Sequence, residues 1–534
     1  VYLRKLKVFG FKALREFEMD FGPRMNVIVG NNESGKTTII EAISLALSSQ
    51  VLGSNIQYEL NPYHFNASSV DEYYEAIGHG ENPVPPRILI EVYLDDEGTD
   101  ELAKLRGTNN TDAEDCPGIC LEVAVKEDYA EEFLDYIHDA ASSGLIPIEY
   151  YEVSWLSFAS NPVNARARPF RATVIDTGAA PRYSSPNRYL SHIIKECLDE
   201  PQRIALAAAY RDLRQRFAEE PGIDEINEFL RAKKGDISTK TLTVSLDMSA
   251  RSTWDTSITA HLDDIPFAAV GKGEQSCVQM KLAIGAAETS SLLLIEEPEN
   301  HLSHSTMSRL VEDIAQREND RQVIITTHSS FVLNKLGISH VQLMTPDGVM
   351  TLADLDPDTV DYFSKLPGYD TLRLLLARRA ILVEGPSDEL IVQRAYRDVH
   401  GRLPLADGVD VISVGTACKR FLEIAARLEL DVAAVVDNDR DVEKLKKRFE
   451  EYLSGKHPSI EIFFDSDEGC PTLEPQMLKA NSLETLNALL GTTYENGAAL
   501  LASMTRNKTD WALRLFRATT LANYPAYIRD AVGD

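Results

Sequence analysis

An α/β fold is predicted by three features of this sequence. A short apolar run at residues 25–29 ends in Gly30 and leads through a Gly-containing turn into an apolar-periodic helix. A second apolar run, residues 292–295, ends in two acids, Glu296 and Glu297. From residue 380 onward strands and helices alternate at the spacing of a parallel sheet. Lys36 and Glu296 stand 260 residues apart. That is long for one compact unit and implies an insertion between them.

Residues 1–30 read as strands broken by a turn near Lys12 to Arg15, the last of them short and buried. A helix follows from Gly35 to about Ser48, with Ile39, Ile40, Ile43 and Leu45 supplying apolar positions. Residues 86–95 and 118–126 alternate in polarity and predict antiparallel strands. The polar stretch between them, about 96–117, predicts an exposed loop. Helical periodicity fills 186–234, with a break at Glu220-Pro221-Gly222. Strands are expected at 242–248 and 258–263, a helix at 274–289, a strand into Glu296, a helix at 303–317, and a strand ending at His328. Then strands at 380–384, 409–414 and 431–436 alternate with helices at 387–398 and 417–429. The tail from about 480 is mostly helical.

Composition limits the function classes. The chain has 534 residues, with 54 Lys plus Arg against 83 Asp plus Glu, a formal charge of -29. That balance excludes a polycationic nucleic-acid coat but leaves room for a local basic groove. No apolar run approaches the roughly 18 residues that span a bilayer, and residues 1–10 lack a signal-peptide layout. The six cysteines are scattered, with no second pair or His cluster to complete a zinc site. Free thiols and a cytoplasmic location are expected.

Gly30-Asn31-Asn32-Glu33-Ser34-Gly35-Lys36-Thr37 fits the phosphate-loop pattern. Its glycines let backbone N–H groups curl around phosphates, Lys36 reaches the β/γ-phosphates, and the Thr37 hydroxyl ligates Mg²⁺. The helix N-terminus adds a favourable dipole. Gly30, Asn31, Asn32, Ser34, Gly35, Lys36, Thr37 and Thr38 are therefore candidate ATP contacts. The strand ending in Glu296 and Glu297 supplies the complementary acids: Glu296 to hold Mg²⁺, in place of the usual Asp, and Glu297 to polarise water.

The segment Gly271-Lys272-Gly273-Glu274-Gln275-Ser276 resembles the signature motif of ABC-type ATPases, and His328 stands where these ATPases carry a switch histidine. The resemblance implies that Gly271, Gly273 and Gln275 meet ATP bound to the opposite subunit, and that Glu299-Asn300-His301-Leu302 faces the dimer. The stretches LRKLKVFGFKALREFEMDF and MNVIVGNNESGKTTIIEAI, residues 3–21 and 25–43, extend this resemblance to ABC ATPases of the recombination and SMC type. The helical stretch then stands where that type carries long coiled coils, as a candidate dimerisation element.

A strand ending in Glu384 and another leading to Asp437-Asn438-Asp439 place acids around one crevice. Clustered carboxylates repel unless hard divalent cations neutralise them, and two such cations clamp a phosphodiester. The pattern resembles the Toprim domain, with Glu384, Asp437 and Asp439 as its acids. An ABC ATPase followed by Toprim resembles the OLD (overcoming lysogenisation defect) nucleases, including the ATPase-nuclease subunit of Gabija-type anti-phage systems. That family implies a further acid at Asp388, with Glu389 as the neighbouring substitute, another at Glu474 in Thr472-Leu473-Glu474-Pro475, and a charge-stabilising lysine at Lys508. No nucleophilic-tyrosine domain supports a topoisomerase, and no zinc cluster supports a primase. Arg166, Arg168, Arg171, Arg373, Arg378 and Arg379 are candidate phosphate contacts or salt-bridged surface arginines.

The expected architecture is an ABC-type P-loop ATPase in two parts, 1–185 and 241–365, around a helical dimerisation insert at 186–240. A Rossmann-like Toprim domain with a helical tail occupies 366–534. The expected function is a Mg²⁺- or Mn²⁺-dependent DNA endonuclease regulated by an ATP-hydrolysing dimer or dimer of dimers, in bacterial anti-phage defence, with a helicase-like or other defence protein as partner. The alternative is a nucleotide-gated DNA-binding or sensor ATPase that holds a partner effector.

Overall fold

The computed structural model describes residues 1–31, 34–51, 54–98, 102–140, 144–163, 170, 172–176, 198–232, 242–244, 254, 258–275, 277–278, 281, 291–300, 307–309, 311–312, 321–345, 348–352, 355–365 and 371–533. By compactness the chain forms two units. One comprises Val1–Arg24 and Thr37–Thr326, the other Met25–Lys36 and Thr327–Asp534. The domain limits expected at 185, 240 and 365 stand as a proposal of chain order.

In the first unit, Tyr2–Phe11 pairs with Leu14–Asp20 and with Ile88–Asp95. Ile88–Asp95 pairs with Cys116–Val125, which pairs with Tyr151–Ser157, all antiparallel. The period-2 alternation puts Leu6, Val8, Ile90, Val92, Leu121 and Val123 into the core. The stretch 96–117, expected as an exposed loop, is pinned to this sheet. Glu91, 2% exposed, accepts from Thr111 N at 2.8 Å, Thr111 Oγ1 at 2.6 Å and Tyr93 Oη at 2.9 Å. A buried carboxylate needs such donors, and the loop supplies two of them.

The same unit holds three parallel strands, Ala172–Asp176, Leu292–Glu296 and Gln322–Thr326. The last two are buried at every position. Gln322 ties them to the antiparallel sheet. Its Oε1 accepts from Leu3 N at 2.8 Å, and its Nε2 donates to Leu3 O at 2.7 Å and Gly22 O at 2.8 Å.

The expected insert is helical where described. Glu200–Ala218 opens on a capping box between Asp199 and Gln202, and Pro221–Ala232 follows the expected break. Ile204, Leu213, Phe217, Ile226 and Phe229 on these helices are exposed. Of the strands expected nearby, 245–248 lies outside the described residues. Residues 242–244 carry none, and 258–263 reduces to His261–Leu262 paired with Ile265–Pro266. The helices expected at 274–289 and 303–317 lie mostly outside the described residues.

In the second unit, Met25–Val29 runs parallel to Val341–Thr345, which turns back into Gly348–Thr351. Further along, four parallel strands stand in the order Val409–Ser413, Arg379–Val383, Val432–Val435, Ile460–Phe463. Three were expected; the fourth is short and half-buried, too brief to declare itself by pattern. Helices Pro386–His400 and Cys418–Arg427 complete the strand–helix alternation. The helical tail is no appendage: Met477, Leu486, Trp511, Leu515 and Ile528 share one core with Ile381, Val383 and Ile391. Among the described residues, Cys116, Cys120, Cys277, Cys418 and Cys470 are free, and no helix is long and apolar enough to cross a membrane.

Gln322→Leu would leave Leu3 N and two carbonyls without this partner. Each orphaned buried group costs about 1–3 kcal/mol, so the variant's lowest calorimetric unfolding transition is expected to fall by several degrees. An unchanged transition would show that the amide is dispensable.

Candidate functional site

The phosphate loop runs from the buried strand Met25–Val29 to helix Lys36–Ser48. A Cβ on Gly30 would stand 2.6 Å from Ser34 Oγ and 3.0 Å from Met344 Cβ, so the tight turn requires glycine there. Gly35 has a φ of 94°. Lys36 is 5% exposed, and its Nζ donates back to Gly30 O at 2.9 Å and Asn31 O at 2.8 Å. A buried ammonium beside these carbonyls suits an anion in the loop. Thr38 is buried, and Asn32 lies outside the described residues.

In the other compact unit, Thr37 Oγ1 donates to Glu296 Oε1. A hydroxyl and a carboxylate facing one another form an oxygen donor pair of the kind Mg²⁺ takes. Glu297 adopts a left-handed φ of 41°, a strained state for a residue with a side chain. Its N–H donates to Thr326 O at 2.9 Å, and its carboxylate accepts from Asn300 Nδ2 at 2.7 Å. Asn300 thereby fixes the acid expected to polarise water.

Gly271 and Gly273 open a short helical turn. The Gln275 amide donates to Phe267 O at 2.6 Å and Val270 O at 2.9 Å. Its Nε2 therefore shapes the turn, leaving Oε1 for any outward contact. His328 and Asn31 line one cleft of the second unit. His301, Leu302 and Ser276 lie outside the described residues, as do Arg166, Arg168 and Arg171. Arg373 and Arg379 are salt-bridged, to Asp410 and to Asp431 and Glu461.

The second acid set gathers at the C-terminal ends of neighbouring parallel strands. Val383 and Val435 are paired in register, which brings Glu384 beside Asp437; Asp437 N donates to Glu384 Oε1 at 3.3 Å. Asp388 sits in the first turn of Pro386–His400, and buried Glu474 opens Leu473–Ala480, accepting from Thr472 Oγ1 at 2.9 Å. Burial, then Asp388, Glu384, Glu474 and Asp439, push Asp437 up to about 8. Burial, with Glu384 and Glu474, pushes Asp388 up to about 6. Burial also raises Glu384, against the pull of Arg448 and Lys508. Glu389 instead pairs with Arg373 at 3.7 Å, so Asp388 is the member of that pair coupled to the other acids. Among the described residues, no three such side chains already stand in a metal-holding group. The donor chemistry is that of a hard cation.

Three positioning residues escaped the sequence reading. Asn438, 1% exposed, donates to Asp465 O at 2.8 Å and Asp467 O at 3.0 Å. It holds a loop in which Asp439 and Arg440 have φ of 48° and 68°. Arg394, 2% exposed, lies on the helix of Asp388. It donates to Leu515 O at 3.0 Å, Phe516 O at 3.1 Å and Thr520 O at 3.1 Å, to Ala518 O, and to Asp398 at 2.7 Å. These carbonyls close helix Lys508–Arg517, whose exposed first residue is Lys508. Buried Tyr527 donates to Gln476 Oε1 at 2.5 Å. Its phenol is pushed up by burial and by Asp437 and Asp388.

Comparison with known proteins agrees with this layout. Residues 2–349 match the RecF/RecN/SMC N terminal domain, and residues 375–439 match the TOPRIM domain of overcoming lysogenization defect-like proteins. Over 54 residues the chain is 39% identical to structural maintenance of chromosomes protein 6 of Saccharomyces cerevisiae, covering 10% of this chain and 5% of that protein. The SMC head domain from Thermotoga maritima is similar at 15% identity and TM-score 0.31, covering 66% of this chain and 99% of that one. An SMC head bound to the C-winged helix domain of ScpA is similar at 14% and 0.33, covering 66% and 98%.

Asp437 is held far above the ordinary carboxylate value of about 3.9. Its ionised form is therefore disfavoured in the fold. That cost is absent below pH about 4, grows as pH rises, and is full above pH about 8. Asp437→Asn is expected to raise the melting temperature in chelator at pH 8.5 by a few degrees, and by less at pH 5. Equal gains at both pH values would contradict the repulsion.

Proposed function

We propose a function from one premise: this chain belongs to the RecF/RecN/SMC family and carries an OLD-like TOPRIM domain. The pairing supports ATPase and nuclease chemistry in one polypeptide. The finer reading is an ATP-regulated, divalent-metal-dependent DNA endonuclease of anti-phage defence. The observation that carries it is the set of five acids, Glu384, Asp437 and Asp439 just past parallel strands and Asp388 and Glu474 in the first turns of helices, with Asp437 and Asp388 pushed above the ordinary range.

Thr37 and Glu296 would hold Mg²⁺ with ATP; Glu384, Asp388, Asp437, Asp439 and Glu474 would hold Mg²⁺ or Mn²⁺ at the nuclease centre. Divalent cations there supply charge stabilisation for a phosphodiester. Lys36 turns from the Gly30 and Asn31 carbonyls to phosphate oxygens. Glu297, steadied by Asn300, accepts a proton from the attacking water. Lys508 offsets negative charge developing on the phosphodiester, and Arg394 fixes the helix that presents it. The net charge of -29 makes metal-free DNA affinity weak.

Exposed Ile204, Leu213, Phe217, Ile226 and Phe229 support a dimerisation role for the insert. The same exposure favours, as a second reading, a sensor ATPase that holds a partner effector there.

Plasmid cleavage with Mg²⁺ or Mn²⁺ tests the nuclease reading. Lys508→Ala is expected to slow it by about 10²–10³-fold, the weight of one charge-stabilising donor. Equal cleavage by wild type and Lys508→Ala would remove that role, and no cleavage by wild type under any nucleotide condition would favour the second reading. Nucleotide acting as a restraint implies that Lys36→Ala protein cleaves alike with and without ATP. Phe229→Glu is expected to shift the particle mass in light scattering toward the monomer; an unchanged mass would place the dimer contact elsewhere.

A further inference from the structure

Directly after Asp439 the chain turns positive. Residues 440–448 carry Arg440, Lys444, Lys446, Lys447 and Arg448 against only Asp441 and Glu443, in a chain whose overall charge is -29. Both acids are engaged locally. Asp441 caps helix Val442–Arg448, its carboxylate accepting from Lys444 N at 2.9 Å. Glu443 accepts from Lys446 Nζ at 3.1 Å. Val442, Leu445 and Phe449 are buried. That turns Lys444, Lys447 and Arg448 outward, all exposed, at the i, i+3, i+4 spacing of one flank. Among the described residues, Arg440, Lys444 and Lys447 make no side-chain ion pair. Arg448 lies over the Phe449 ring at 5.0 Å.

We infer that this flank, with Arg440 ahead of it, holds the phosphate backbone of a nucleic-acid strand leading into the acid centre. The inference rests on the nuclease reading for where the strand leads, and adds the surface that carries it. Exposed cations without protein partners neutralise phosphates and release their counterions. The loop between the acids and the helix is pinned, so the flank keeps its place beside them. Asn438 Oδ1 accepts from Arg440 N at 2.9 Å, Asn438 O from Asp441 N at 2.9 Å, and Glu468 Oε1 from Val442 N at 3.1 Å. Lys444 follows Asp439 by five residues, at most about 18 Å of chain. That is about five phosphate steps along one strand. At the far end of the flank, the charge of Arg448 is felt by Glu384, so the flank borders the centre at both ends. An acidic polypeptide would meet the same cations but has nothing for the acids beyond them. A phosphodiester does, through the divalent cations those acids attract. Contacts of this kind set register and carry no sequence information.

Fluorescence anisotropy with the full chain in chelator measures binding without cleavage, using a labelled DNA duplex and a labelled single strand at about 50–200 mM salt. The double variant Lys444→Gln, Lys447→Gln is expected to flatten the slope of log affinity against log salt. The change is about 1.8 on a duplex or about 1.4 on a single strand, at about 0.9 or 0.7 per contact, and is alike for unrelated sequences. A change on the duplex alone names double-stranded DNA as the occupant, one on the single strand alone names an unpaired strand, and one on both names the backbone they share. Lys444→Arg with Lys447→Arg keeps both charges and is expected to keep the wild-type slope, with melting temperatures unchanged in every variant. Lys446→Gln, on the other flank, is expected to leave the slope alone. A shift equal to that of Lys447→Gln would mean that net charge alone is sensed, and the flank would have no role. Absent binding, or a slope that the double Gln variant leaves unmoved, overturns the proposal. So does poly-glutamate binding as tightly as DNA, since the partner is then an acidic polypeptide. Should the flank govern binding while plasmid stays intact with Mg²⁺ or Mn²⁺, the nuclease reading fails and this surface stands; cleavage with an unmoved slope is the reverse.

Discussion

One buried guanidinium ties together two helices of the C-terminal region. Arg394 sits on the helix that starts at Asp388 and closes the far end of the helix that starts at Lys508. Helix ends leave carbonyls without intrahelical partners, and a buried charge needs several acceptors. Each problem answers the other. Asp398 completes the arrangement, balancing Arg394 and accepting from Tyr524 at 2.6 Å. The position of a lysine more than a hundred residues away in sequence thus follows from the helix that carries an acid.

The acids themselves impose the opposite constraint. Parallel strands end side by side, so anything placed just past them is crowded. Burial, reinforced by the neighbouring Glu384 and Glu474, raises the proton affinity of Asp388 and Asp437. Asn438 prevents the loop from relaxing outward by anchoring it to the backbone of 465–467. The overall acidity of the chain therefore has a local meaning. Its informative part is the small fraction of carboxylates that the fold refuses to separate.

What the sequence disclosed and what it hid divide along the range of the interactions. The phosphate loop was legible because its glycines, lysine and threonine lie within eight residues and act through their own backbone. The strand–helix alternation from 380 was legible because β and α periods are local. That Asp388 faces the other acids while Glu389 pairs with Arg373 is visible only in three dimensions. Gln322 and Arg394 were invisible for the same reason: most of their partners are backbone atoms more than a hundred residues away, and backbone atoms leave no trace in residue identity. The stretch 96–117 looked like a loop from its polar composition, yet its threonine is a ligand for a buried acid.

The shared core of sheet and tail has a consequence for how the protein is made. Trp511, Leu515, Tyr527 and Ile528 pack with Ile381, Val383 and Ile391, so the parallel sheet keeps an apolar face uncovered until helix Ala526–Val532 has been synthesised. Domains generally mature in order as the chain emerges from the ribosome; here the segment that begins at Arg379 cannot finish before residue 532 is available. A chain cut short between residues 485 and 511 therefore carries its acids without the helices that pack against their sheet.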